Sequence, residues 1–352
     1  MNKPVIKTTP RITMVMAGDE EGGLEKHVVE LSNGLADRGY IVTVIAHAKY
    51  EQRLSKDIQF LAVDLSQSRR NPLVLWQLYQ AIKKSQPDVL HVHANKAASM
   101  VAPMLKWLKV PSVVTMHNKK SKVNLCAPFN RIIAVSRQVA AQFKQQDKVR
   151  VVLNGVTMPR VLNADSVQER SHQAVQALAV GRLVPVKGFD LLIDAWQGID
   201  ATLHIVGDGP DYQALTQQIQ RLGLQDQIKL LGYRDDIPAL LAQSDVFIIS
   251  SRHEGGPYTL AEALLTRTPV LSTNVGMVAE VLPQVLICEA DNVTALHELL
   301  TTYLSDMPTL NKLTQPVYQF AQDHLSFDAM LDNTIAVYQE LDLSVLKQGT
   351  PQ

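Results

Sequence analysis

The chain has 352 residues, more than one typical domain needs, with 46% hydrophobic and 19% charged residues, a balance that excludes a disordered or collagen-like protein. Lys plus Arg equal Asp plus Glu at 34 each, yet residues 1–158 hold 23 basic against 11 acidic residues and the remainder the reverse. Two electrostatically different halves predict two domains and point the first at an anionic partner. No apolar run approaches the ~18 residues of a spanning helix. The start, Met1-Asn2-Lys3-Pro4-Val5-Ile6-Lys7, carries no secretory h-region. Cys126 and Cys288 match no metal or redox spacing, which suits a reducing cytoplasm.

Arg11–Met16 reads as a first strand. A helix follows with Leu24, Val28, Leu31 and Leu35 on one face, the spacing of a stripe buried on a sheet. Gly39 is placed to cap it, and Gly22-Gly23 at its start let backbone approach a ligand closely. Ile41–Ala46 and residues 58–63 predict the next strands, 73–84 a helix and 88–93 a fourth strand. His91 and His93 share one face of that strand, which could begin a metal site, but no third ligand is evident beside them. The stretch 100–109 is apolar with Trp107 between lysines, suited to a membrane interface or to a core helix. Residues 112–118 predict a fifth strand ending in His117, and 131–136 and 149–156 close the first half.

Residues 159–173 are polar, unpatterned and bounded by Pro159, as a linker would be. Beyond it a strand runs into Gly181-Arg182-Leu183-Val184-Pro185-Val186-Lys187-Gly188. Arg182 offers a fork of donors and Lys187 a compact charge, complementary tools for a diphosphate. Residues 203–206 lead into Gly207-Asp208-Gly209-Pro210, and 228–231 into Gly232-Tyr233. The apolar run 245–251 is too short for a helix and rich enough in β-branched residues for a buried parallel strand. Glu254-Gly255-Gly256-Pro257-Tyr258-Thr259 then opens a helix carrying Glu262. At that edge of a parallel sheet ligands bind, and the free N–H groups of the first helical turn favour an anion. Carboxylates there can accept from sugar hydroxyls; alternatively they are a surface Glu and one that complements the helix dipole. Residues 272–280 close this region, and 326–338 repeat with helical period. Strand–helix units throughout predict α/β architecture with two doubly wound sheets.

Glu254 and Glu262, with Gly255 and Pro257 between them and Ala263-Leu264 after, resemble the Glu-x7-Glu signature of the retaining glycosyltransferases of family 4. Gly22-Gly23-Leu24-Glu25, Asn154-Gly155-Val156 and Gly181-Arg182-Leu183 through Lys187-Gly188 match further segments in the family's order, so the resemblance runs from Gly22 to about Tyr338. It implies a GT-B fold, two Rossmann-like domains facing across a cleft. Residues 1–158 would bind the acceptor, 159–173 would link, 174–325 would bind the nucleotide sugar, and a terminal helix over 326–345 would pack back on the first domain. By the same resemblance a sugar passes from a nucleotide-diphosphate sugar, a UDP-sugar being expected, to an acceptor hydroxyl. Arg182 and Lys187 would stabilise the departing diphosphate, while His117 and Glu254 face the transferred sugar. Gly22, Gly23, Gly181, Gly207, Tyr233, Gly255, Gly256, Tyr258 and Thr259 would line the donor, with Glu262 accepting from the ribose.

No metal or other cofactor is expected. The expected partners are a glycan or glycolipid acceptor, as in lipopolysaccharide or capsule synthesis, and the anionic inner surface of the cytoplasmic membrane. The membrane would meet clusters at Arg69-Arg70, Lys83-Lys84 and Lys119-Lys120-Lys122. Nucleic acid is not expected, because neither a recognition helix nor an aromatic-interleaved basic motif is present. One departure from the family stands at Gly255-Gly256-Pro257, where many relatives carry Gly-Phe-Gly before the proline, and Pro257 donates no N–H. A sugar-nucleotide 2-epimerase and a non-catalytic nucleotide-sugar-binding subunit are the alternatives.

Overall fold

Short runs rich in Val and Ile become the strands of two all-parallel sheets, and amphipathic segments between them become helices. The computed structural model describes residues 9–18, 22–118, 123–157 and 174–341. The chain divides into two units, Met1–Val152 with Leu331–Gln352, and Leu153–Met330. The expected linker, 159–173, lies outside the described residues.

The first unit contains β1 (Arg11–Met16), α1 (Gly23–Asp37), β2 (Ile41–Ala46), β3 (Gln59–Ala62), α2 (Pro72–Ser85) and β4 (Val89–His93). It continues with α3 (Ala94–Val101), α4 (Leu105–Leu108), β5 (Ser112–Met116), β6 (Arg131–Ala134), α5 (Arg137–Ala140) and β7 (Val149–Val151). The strand order is β3-β2-β1-β4-β5-β6-β7, so the winding reverses between β1 and β4. As its periodicity predicts, α1 buries Val28, Leu31 and Leu35 completely. In α2, Asn71 caps the start by accepting from Leu73 N at 3.0 Å, Pro72 occupies the first turn, and Val74, Leu78 and Ile82 form the buried stripe. Read from sequence, β5 and β7 extend further than they do. β7 is an edge strand whose pairing with β6 runs only to Val151 opposite Ala134.

The second unit contains β8 (Val175–Val180), α6 (Phe189–Ala195), β9 (Ala201–Val206), α7 (Tyr212–Arg221), β10 (Ile228–Leu230) and α8 (Ile237–Gln243). Next come β11 (Val246–Ile249), α9 (Tyr258–Leu265), β12 (Val270–Thr273), α10 (Val278–Val281) and β13 (Ile287–Cys288). Helices α11 (Val293–Leu304), α12 (Met307–His324) and α13 (Phe327–Gln339) close the chain. The order β10-β9-β8-β11-β12-β13 reverses between β8 and β11. Trp196 is fully buried in this core and its indole N–H donates to Ala201 O at 3.2 Å, so its polar atom is satisfied.

Asn154-Gly155-Val156 is stitched to the start of α13. Val156 N donates to Leu325 O and Phe327 N to Val156 O, both at 3.0 Å. A Cβ on Gly155 would stand 2.1 Å from Ser326 O, so only glycine fits. From Leu331 onward the helix belongs to the first unit. There Asp332 meets Arg38 at 2.7 Å, and the Glu340 carboxylate just beyond the helix accepts from Arg131 at 2.9 Å and Arg150 at 2.8 Å.

Candidate active site

In the second unit the loops after β8 and β11, the two strands at the winding reversal, meet at their C-terminal ends, where open α/β sheets bind ligands. Lys187, on the first loop, places Nζ 2.5 Å from Oε1 of Glu254 on the second, and Ser251 Oγ donates to the same oxygen at 2.9 Å. Backbone and side chains fasten the loops together: Ser250 Oγ donates to Lys187 O at 3.0 Å and Arg252 N to Val186 O at 2.8 Å. The Arg252 guanidinium forks onto the Asp190 carboxylate at 2.8 and 2.6 Å and donates to Pro185 O at 2.6 Å and Asp291 at 2.7 Å. Burial alone would raise the Asp190 carboxyl, but Arg252 outweighs it and holds Asp190 below the usual carboxylate range.

Glycines set how closely these segments approach. Gly188 has φ +64°, and a Cβ there would stand 2.2 Å from Ser250 O. A Cβ on Gly181 would meet the Lys187 stem at 3.2 Å, and one on Gly207 would stand 1.8 Å from Gly181 O. The Glu254 turn is held from two other sides. Gly276 presses on it, with a built Cβ 2.4 Å from Gly255 O, and Asn154 Nδ2 donates to Gly256 O at 2.6 Å. Thr259 lines a small hollow with Lys187, Ser251 and Glu254. Tyr258 and Glu262 stand half-buried on α9, whereas Arg182 and Tyr233 are exposed, Tyr233 by 79%. The fold therefore brings Gly181, Lys187, Glu254 and Thr259 together. Ser251, Arg252, Asp190 and Gly276 complete the arrangement; sequence reading passes over them because their roles arise only where two loops cross.

In the first unit Gly22 and Gly23 are exposed at the start of α1, and His117 follows β5. His117 belongs to a cluster. His27 of α1, His93 at the end of β4 and His117 each present a ring nitrogen, and these atoms lie within 4.8 Å of one another. Ring centroids are 4.7 Å apart for His27 and His117, 5.5 Å for His27 and His93, and 6.0 Å for His93 and His117. The His91 ring lies against His93, centroids 4.1 Å apart, but its nitrogens are taken: Nδ1 lies 2.6 Å from Tyr338 Oη and Nε2 lies 2.7 Å from Thr115 Oγ1. A neutral ring satisfies both by accepting at one nitrogen and donating at the other. His91 and His93 do adjoin, as their shared strand face predicts, but the nitrogens that gather with those of His93 belong to His27 and His117, from elements distant in sequence. Burial pushes His27 and His93 well below the ordinary imidazole value, His91 down to about 3 and His117 down to about 4, with mutual repulsion adding to the effect on His27, His93 and His91.

The first unit also carries an apolar groove of about 800 Å³ lined by Arg69, Arg70, Trp76, Tyr79, Met104 and Trp107 among others. Trp76 is 60% and Trp107 61% exposed, and Lys106 Nζ sits 4.1 Å from the Trp107 ring centroid. Met100, Val101 and Met104 are core, so the stretch 100–109 is buried on one side and exposed on the other. Lys119, Lys120 and Lys122 lie outside the described residues.

Two doubly wound parallel units, one with a cation–carboxylate pair across its switch-point loops, define the GT-B class of two-domain Rossmann-like proteins. The family model described as Glycosyltransferase Family 4 matches residues 21–159, and that described as Glycosyl transferases group 1 matches residues 163–320. An uncharacterized glycosyltransferase of Methanocaldococcus jannaschii is 24% identical over 343 residues, covering 91% of this chain and 95% of that protein. The lipopolysaccharide core biosynthesis glycosyltransferase LpsD of Rhizobium meliloti is 25% identical over 250 residues, 66% of this chain and 70% of LpsD. Among solved structures, Anabaena HepE in complex with UDP superimposes with TM-score 0.79 at 22% identity, covering 95% of this chain and 100% of HepE. The chain belongs to the family 4 type of glycosyltransferases.

Proposed function

We propose that this glycosyltransferase moves a sugar from a UDP-sugar to a hydroxyl of a lipid-linked surface glycan, with retention at the anomeric carbon and without a metal. The observation that carries the reading is the Lys187–Glu254 pair at 2.5 Å, held at the switch-point edge of the second sheet. In this reading Lys187 exchanges Glu254 for the donor diphosphate and, with Arg182, stabilises charge developing on it, an electrostatic role that needs no ion. Glu254, freed from Lys187, faces the sugar. Glu262 accepts from the ribose, and Gly181, Gly207, Tyr233, Gly255, Gly256, Tyr258 and Thr259 line the nucleotide. Gly22, Gly23 and His117 serve the donor phosphate and transferred sugar from the first unit. The leaving phosphate assists attack on the same face, so no side chain acts as nucleophile.

The HepE complexes with UDP and UDP-glucose support a uridine donor, and LpsD supports a lipopolysaccharide-type acceptor. The exposed Trp76 and Trp107 beside Arg69, Arg70 and Lys106 support attachment to the anionic inner face of the cytoplasmic membrane, since aromatic rings and basic side chains partition to such interfaces. The test is turnover of a UDP-sugar panel with glycolipid acceptors in EDTA, with the product anomer read by NMR. Retention of the donor's anomeric configuration is expected, and an inverted product contradicts the reading. Conversion of donor without acceptor indicates an epimerase; UDP binding with no turnover in any combination indicates a non-catalytic subunit.

A further inference from the structure

We propose that His27, His93 and His117 form a binding site for a divalent transition ion of the zinc class. His93 is completely buried, and neither of its ring nitrogens has a hydrogen-bond partner among the described residues; buried Nε2 of His117 likewise has none. Buried polar atoms are normally paired, so the unpaired nitrogens of His93 and His117 indicate a missing partner. Thr115 and Tyr338 satisfy His91 in the same strand, which shows that the fold supplies partners where it uses an imidazole structurally.

The geometry fits an ion. Zinc–imidazole bonds of about 2.0–2.1 Å at tetrahedral angles place ligand nitrogens about 3.4 Å apart, against the present spread of up to 4.8 Å. Rotation of the side chains about χ1 and χ2 is the movement that would close that difference. An all-imidazole set favours zinc, copper or nickel over magnesium or calcium, which take oxygen donors. The ligands come from α1, from β4 and from the residue after β5, and a bound ion therefore ties three elements of the first unit together. The site goes beyond glycosyl transfer and does not rest on it. An occupied site would also take up His117, so zinc is expected to inhibit transfer while leaving UDP binding by the second unit intact.

The experiment uses the tag-free full chain stripped with chelator and titrated with Co²⁺, then Zn²⁺. One equivalent of Co²⁺ giving the intense visible bands of a tetrahedral site, displaced by Zn²⁺, is expected. Because changes merely behind a ligand cost 10–100-fold, His93→Ala should weaken affinity by more than about a hundredfold, while His324→Ala, on an exposed position of α12, should leave it unchanged. X-ray absorption of the zinc-loaded unmodified chain counts the imidazoles directly and does not depend on any variant folding. Three imidazoles are expected. Two or fewer, affinity unmoved by His93→Ala in a folded variant, or no stoichiometric binding overturns the proposal.

Discussion

Glu254 and Glu262 are equivalent letters in a sequence motif, but the fold separates them. Glu254 holds Lys187 at 2.5 Å on a loop, whereas Glu262 rides half-buried on α9. Glu254→Gln leaves the Lys187 ammonium without its neutralising partner, so UDP affinity should hold or rise while turnover falls. Glu262→Ala should instead weaken binding of bare UDP by roughly tenfold, the scale of a lost hydrogen bond to a charged group. Calorimetry paired with initial rates reads both, and the opposite assignment of effects would refute the division. Arg252 is a positioning residue with the same site in its reach, because its fork onto Asp190 anchors the Lys187 loop. With the Asp190 side chain 44% exposed, solvent screening holds the cost of Arg252→Ala to about 1 kcal/mol of stability, yet UDP affinity should fall by several-fold. An unchanged affinity would mean that the Lys187 loop needs no such anchor. None of this clamp was legible beforehand: Arg252 and Asp190 stand 62 positions apart, and each alone reads as a surface charge.

At the scale of elements, the strands and α1 followed from local signals. Arg11–Met16 and Ile41–Ala46 alternate too little for a half-exposed sheet and are flanked by turn residues, and the structure gives those same limits. What could not be read was which strand ends adjoin. The histidine cluster exists because β1, β4 and β5 are neighbours in the order of the first sheet, a non-local fact that hid His27 from a search centred on His91 and His93. Trp76 was hidden differently, since the α2 stripe at Val74, Leu78 and Ile82 accounts for the helix and leaves nothing to flag Leu73 and Trp76 on its open side. The cluster also predicts acid sensitivity of the metal-free protein. Folded His91 and His117 protonate only at about 3 and about 4, and His27 and His93 lie well below their ordinary value. The unfolded chain takes those protons near pH 6.5. Stability is therefore complete above about pH 6.5 and is lost progressively as pH falls toward 4. The urea midpoint of chelator-treated protein should hold from pH 7.5 to about 6.5 and then drop steadily to pH 5; a flat profile would show that these rings are not held neutral.

For the whole molecule, the charge division of the sequence and the groove in the first unit point at one surface. Each Lys or Arg near an anionic membrane contributes about 1 kcal/mol, attenuated by salt. Sedimentation with vesicles should rise with anionic lipid and fall with salt. A Trp76→Ala/Trp107→Ala double variant, whose substitutions are at exposed positions and should spare the fold, should bind more weakly. Indifference to lipid charge, salt and both tryptophans would leave the basic excess without a membrane role. The central claim, that the switch-point loops of the second unit hold the donor diphosphate, is tested most directly by calorimetric titration of UDP into the unmodified chain and into Lys187→Ala. Loss of a charge-assisted contact of about 1.5–3 kcal/mol should weaken UDP by more than about tenfold in the folded variant, and unchanged affinity would contradict the account.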